Sequence, residues 1–122
     1  MIARKTLVVG LLLFGLGMVR LAEAQDAGPV TEQNVTQRIS TAKTAADHQA
    51  LAAYFKAQAA TAAQKVKDHQ AMLASFKKIG GKPGQVWESH CQSLIKTYGT
   101  QAKDYEKLAD EQDTLAKEAG GK

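Results

Sequence analysis

Apolar positions in this chain recur in steps of three and four over most of its length, and the same spaced pattern occurs twice, 43 residues apart. The first copy holds His48, Leu51, Phe55, Gln58, Ala62, Val66, His69, Met72 and Phe76. The second holds Trp87, Cys91, Leu94, Tyr98, Gln101, Tyr105, Leu108, Gln112 and Leu115. Steps of three and four place each set on one face of a helix. Between Ala45 and Lys78 there is no Gly or Pro, and alanine, the strongest helix former, is abundant. Gly80-Gly81-Lys82-Pro83-Gly84 is a concentrated breaker. The pattern predicts one long helix before it and a second from about Gln85 to Glu118, weakened at Gly99. Thr44 and Asp47 have the spacing of a capping box, which marks the start of the first long helix. Val35, Ile39 and Ala42 predict a short helix within 31–43. The alternative is one helix running straight through from residue 31.

A short loop makes the two long helices antiparallel neighbours. Facing residues then have a constant sum of residue numbers, and about 160 aligns the apolar layers. This register pairs Leu51 with Leu108, Phe55 with Tyr105, Ala62 with Tyr98, Val66 with Leu94, and Met72 with Trp87. It also superposes three polar layers: His48 with Gln112, Gln58 with Gln101, and His69 with Cys91. Buried polar pairs in such seams fix register and partner at some cost in stability. The expected fold is therefore all-α, an antiparallel, coiled-coil-like two-helix hairpin with a short N-terminal helix. Ala52, Ala53, Ala59, Ala60 and Ala63 offer a small-residue face for that short helix, or for a second copy that would complete a four-helix bundle.

The ends change the picture of charge. Arg4 and Lys5 precede an apolar run from Thr6 to Val19, and Ala22-Glu23-Ala24 offers small residues for cleavage before Gln25. This is the layout of a secretory signal peptide over residues 1–24. The run is shorter than the roughly 20 residues a membrane span needs. The expected organisation is signal 1–24, linker and short helix 25–43, hairpin 44–118, and a frayed tail 119–122. The formal net charge of +4 falls to +2 once Arg4, Lys5, Arg20 and Glu23 are removed. Lys77, Lys78 and Lys82 make a small positive tip without interleaved aromatics, which argues against nucleic-acid binding. The expected location is periplasmic or secreted.

Cys91 is the single cysteine, so an internal disulfide is impossible. His69 faces it in the register, His90 is its neighbour, and Met72 lies about one turn from His69. Imidazole, thiolate and thioether suit Cu(I), or Zn(II) without the Met. His69, Cys91, His90 and Met72 are the candidate metal ligands, and Glu88 lies nearby on the second helix. His48 lies about 31 Å from His69 along the helix and cannot join them. Covalent haem needs Cys-x-x-Cys-His, which is absent. A seam of two helices offers no cleft or oxyanion hole, so no enzymatic activity is expected.

The runs Asp47-His48-Gln49-Ala50-Leu51-Ala52-Ala53-Tyr54-Phe55, Asp68-His69-Gln70-Ala71-Met72 and His90-Cys91-Gln92-Ser93-Leu94 resemble a group of small exported bacterial helical proteins. That group carries a His-x-x-Leu-Ala-x-x-Tyr pattern, a second His about twenty residues on, and a His-Cys pair opening the next helix. The resemblance covers 44–118 and implies a helical fold without assigning an activity. Gln112 stands where the group often has His, which leaves the His69, His90 and Cys91 layer as the better ligand candidate. Two functions follow as expectations: a structural or interaction module of the cell envelope, or a periplasmic protein binding copper or zinc.

Overall fold

A computed structural model describes residues 28–121. The expected signal, the start of the linker and the final residue of the tail lie outside the described residues. Among the described residues the architecture is all-helical: α1 (Val35–Thr41), α2 (Ala45–Ile79) and α3 (Gly81–Gly120). The helices α2 and α3 pack along their length as an antiparallel hairpin, and α1 packs on α2. At 1.5 Å per residue the hairpin is a rod roughly 50 Å long.

The short helix and the long one are separate. Ala42 is extended, with φ −61° and ψ 126°. At Thr44 the expected capping box forms. Asp47 N–H donates to Thr44 Oγ1 at 3.1 Å, and Asp47 Oδ2 accepts from Thr44 N–H at 2.9 Å and from Lys43 N–H at 3.0 Å. The backbone hydrogen bonds from Lys43 and then Thr44 hold the Asp47 carboxyl below its ordinary pKa. At the other end the reversal is tighter than the sequence suggests. Gly80 and Gly81, with φ of 70° and 66°, make the whole turn. Lys82, Pro83 and Gly84 already belong to α3. Proline is tolerated there because first-turn N–H groups have no helical partner. The last helix also continues through Gly120, into the stretch expected to fray.

The seam is a strict heptad pattern. On α2 it runs Ala45, His48, Ala52, Phe55, Ala59, Ala62, Val66, His69, Leu73 and Phe76. On α3 it runs Gly84, Glu88, Cys91, Ile95, Tyr98, Ala102, Tyr105, Ala109, Gln112 and Ala116. Every one of these residues is buried or half-buried. The register near 160 is seen directly. His48 Nδ1–H donates to Gln112 Oε1 at 2.8 Å, and the Phe55 and Tyr105 rings stack with centroids 6.2 Å apart.

Three expectations are corrected. Leu94, Leu108 and Trp87 were paired into the seam, but they are exposed beside it, as are Met72 and Leu115. Gln101 is exposed too, so Gln58 and Gln101 form no buried layer. Glu88, Ile95 and Ala109, each one residue further on, take the places of Trp87, Leu94 and Leu108 in the seam, and the alanines let the two backbones approach closely. The supposed second alanine face is likewise split. Ala52 and Ala59 are buried, whereas Ala53, Ala60 and Ala63 are exposed.

The N-terminal segment docks on a different feature. Val30, Val35 and Ala42 pack against the cluster of Leu51, Phe55 and Ala109. Asn34 Oδ1 accepts from Thr31 N–H at 2.8 Å, and the buried Arg38 donates from its guanidinium to the Gly28 carbonyl at 2.7 Å. Leu51 is the largest fully buried side chain among those described.

Candidate functional site

The loop-proximal third of the seam carries the candidate ligands. Cys91 is a free thiol and is buried. His69 stacks its ring almost parallel on Tyr98, with centroids 5.6 Å apart and planes at 10°. Lys65 Nζ lies 4.9 Å from the centroid of the same Tyr98 ring, a distance at which ammonium and ring attract. His69 Nδ1 is buried and has no hydrogen-bond partner among the described residues.

The stacking follows from helix geometry. A helical side chain tilts toward the N-terminus of its own helix. In an antiparallel pair those directions are opposite. His69 therefore leans away from the loop and Tyr98 leans toward it, so the two meet between layers. The small Ala62 opposite Tyr98 leaves room for this.

The other candidates are dispersed. His90 is exposed and lines a shallow depression on the outside of α3 with Lys82, Gln85, Val86 and Ser89. Met72 is exposed, and Glu88 is half-buried on the seam. Among the described residues no three His, Cys, Asp or Glu side chains gather as a metal site would need. What the layer offers is a half-buried imidazole whose Nδ1 is buried without a partner, and a buried thiol at the same register level. At the far end, the His48–Gln112 hydrogen bond satisfies His48 Nδ1 within the fold.

Residues expected inside the seam carry the most prominent surface instead. Trp87, Leu94, Leu108 and Leu115 are exposed and recur every seven residues along α3, with Gln101 in the missing place. This spacing was legible in the sequence, but it was assigned to the seam. Ser93, Thr97, Thr100, Gln101, Asp104 and Leu108 line an open groove along the same helix. Ile79 and Val86 add exposed apolar side chains at the loop. The chain matches no family model, no curated protein and no solved structure. A functional reading therefore rests on these residues.

Proposed function

We propose that this chain is an exported, non-enzymatic helical hairpin that works in the cell envelope as an interaction module, and that it pairs with a second copy into a four-helix bundle. The carrying observation is the heptad row of exposed leucines, Leu94, Leu108 and Leu115, beside an already occupied seam. Isolated exposed apolar residues are ordinary, but apolar residues recurring along one line of a helix, here interrupted only by Gln101, suit an interaction surface. Seven-residue spacing is the geometry of helix-on-helix packing. Burying each leucine stabilises association by about 1 kcal/mol, allowing for its partial burial already. Sedimentation equilibrium of the mature chain should show concentration-dependent association. Leu94→Glu with Leu108→Glu should yield a monomer of unchanged helix content. A wild-type monomer at every concentration overturns the pairing.

A second reading is binding of a soft metal, Cu(I) or Zn(II), through His69 and Cys91, with His90 and Met72 as outer candidates. The observation favouring it is the unpartnered His69 Nδ1, since buried polar atoms are rarely left unsatisfied. Titration with Cu(I) under reducing conditions should show stoichiometric uptake that Cys91→Ser abolishes. Equal uptake by the mutant overturns this reading.

A further inference from the structure

Among the described residues, the loop end of the rod combines exposed apolar side chains with unopposed positive charge. Ile79 is 60 % exposed, Val86 54 % and Trp87 43 %, and all three lie within eight residues of one another around the two-glycine turn. Lys77, Lys78 and Lys82 are exposed among them. Between Asp68 and Glu88 the chain has those three lysines and no acidic residue. The charge is polarised along the whole rod. Residues 56–96 hold seven lysines against Asp68 and Glu88 alone, whereas 28–55 and 97–121 together hold five basic and eight acidic residues.

We propose that this end docks on an anionic phospholipid surface. Trp87, Ile79 and Val86 enter the headgroup region, and Lys77, Lys78 and Lys82 lie against the lipid phosphates. Charge complementarity selects the occupant: exposed apolar side chains with exposed lysines at the same turn match an anionic bilayer, where tryptophan favours the interface and lysine is attracted to the surface. Lys82, Ser89 and His90 around the shallow depression add donors suited to a phosphate group. No helix among those described is long and apolar enough to cross a membrane, so the contact is peripheral. The acidic end does not cancel the attraction. It lies about 50 Å away along the rod, several Debye lengths at physiological salt. The docking does not require hairpin pairing, because Ile79, Val86 and the three lysines lie beyond the leucines, and Trp87 stands at the loop-proximal end of their row.

Trp87 is the single tryptophan, so its fluorescence reports this end alone. The experiment mixes the mature chain with vesicles of phosphatidylcholine, or of phosphatidylcholine and phosphatidylglycerol at two to one. The expected result is co-sedimentation with the anionic vesicles, a blue shift of Trp87 emission on binding, and reversal by salt. Each lysine near the surface contributes about fivefold to partitioning. Lys77→Ser, Lys78→Ser and Lys82→Ser together should therefore weaken it by about a hundredfold. Lys103→Ser, Lys107→Ser and Lys117→Ser, far from the loop, should change it by less than about twofold. The monomeric Leu94→Glu, Leu108→Glu variant should still bind, which separates this proposal from self-association. Equal binding to both vesicle types, binding with unshifted Trp87 emission, or no binding at low salt overturns the proposal. So does a blue shift that grows with protein concentration in the absence of vesicles, which would assign the tip to a second copy.

Discussion

At the scale of single residues, this hairpin depends on a few polar groups placed where the backbone needs them. The Asp47 carboxylate accepts from two backbone N–H groups at the start of α2, and its own N–H donates to Thr44 Oγ1. Its lowered pKa fixes the sign of a pH effect. The contribution is fully present above the ordinary carboxylate value of 3.8 and is lost as pH falls through the lower folded value. Asp47→Ala should cost about 1 kcal/mol at neutral pH, the usual size of a lost cap. The gap between wild type and mutant should close below about pH 4. Thermal unfolding followed by circular dichroism at several pH values measures it, and a gap that persists in acid would contradict this account. Capping was legible in the sequence because it depends on neighbours three residues apart. The role of Arg38 was not: its partner is the Gly28 carbonyl ten residues back, reached only once the chain folds onto itself.

At the scale of elements, two glycines in α3 should respond oppositely to the same substitution. A Cβ at Gly84 would meet the Phe76 carbonyl oxygen at 3.1 Å, where the two helices are closest to the turn. That carbonyl is backbone and already accepts the Gly80 N–H that ends α2. A Cβ at Gly99 would meet nothing nearer than Val66 Cγ2, at 4.0 Å. Glycine inside a helix costs about 0.5–1 kcal/mol relative to alanine. Gly99→Ala should therefore raise stability by that amount. Gly84→Ala should lower it by about 1 kcal/mol, because overpacking outweighs the propensity gain. Chemical denaturation of both variants tests the pair, and equal stabilisation would show that the turn yields. The two long helices, their order and their polarity could be read from periodicity and breakers. The boundary at the turn could not, because Pro83 reads as a breaker in sequence yet is compatible with a first helical turn.

At the scale of the whole molecule, a two-helix rod has little interior. Its core is a line of small side chains widened at one end, where the N-terminal segment covers Leu51. Large apolar residues are left outside that line, and their arrangement motivates both the proposed pairing of hairpins and the proposed docking of the loop end. Polarised charge is likewise a property of the rod: Lys65, Lys67, Lys77, Lys78, Lys82 and Lys96 become one basic half only when the hairpin closes, whereas Lys56 pairs with Asp113. The helices, the cap and the antiparallel register could be read from the chain alone, because each follows from local propensity or from a short loop joining two repeats. That register placed His48 opposite Gln112, and Phe55 opposite Tyr105. Which of three adjacent rows becomes the seam was decided only in three dimensions. A repeat of seven with apolar residues in several columns is consistent with more than one rotation of each helix about its axis. Packing selects the rotation that brings alanine and glycine between the backbones and turns Leu94, Leu108 and Trp87 outward. The candidate site was legible as a layer but not as a geometry. His69 and Cys91 share a register level, but opposed side-chain tilts send the imidazole to Tyr98, and direction of tilt is a property of the paired helices rather than of either alone.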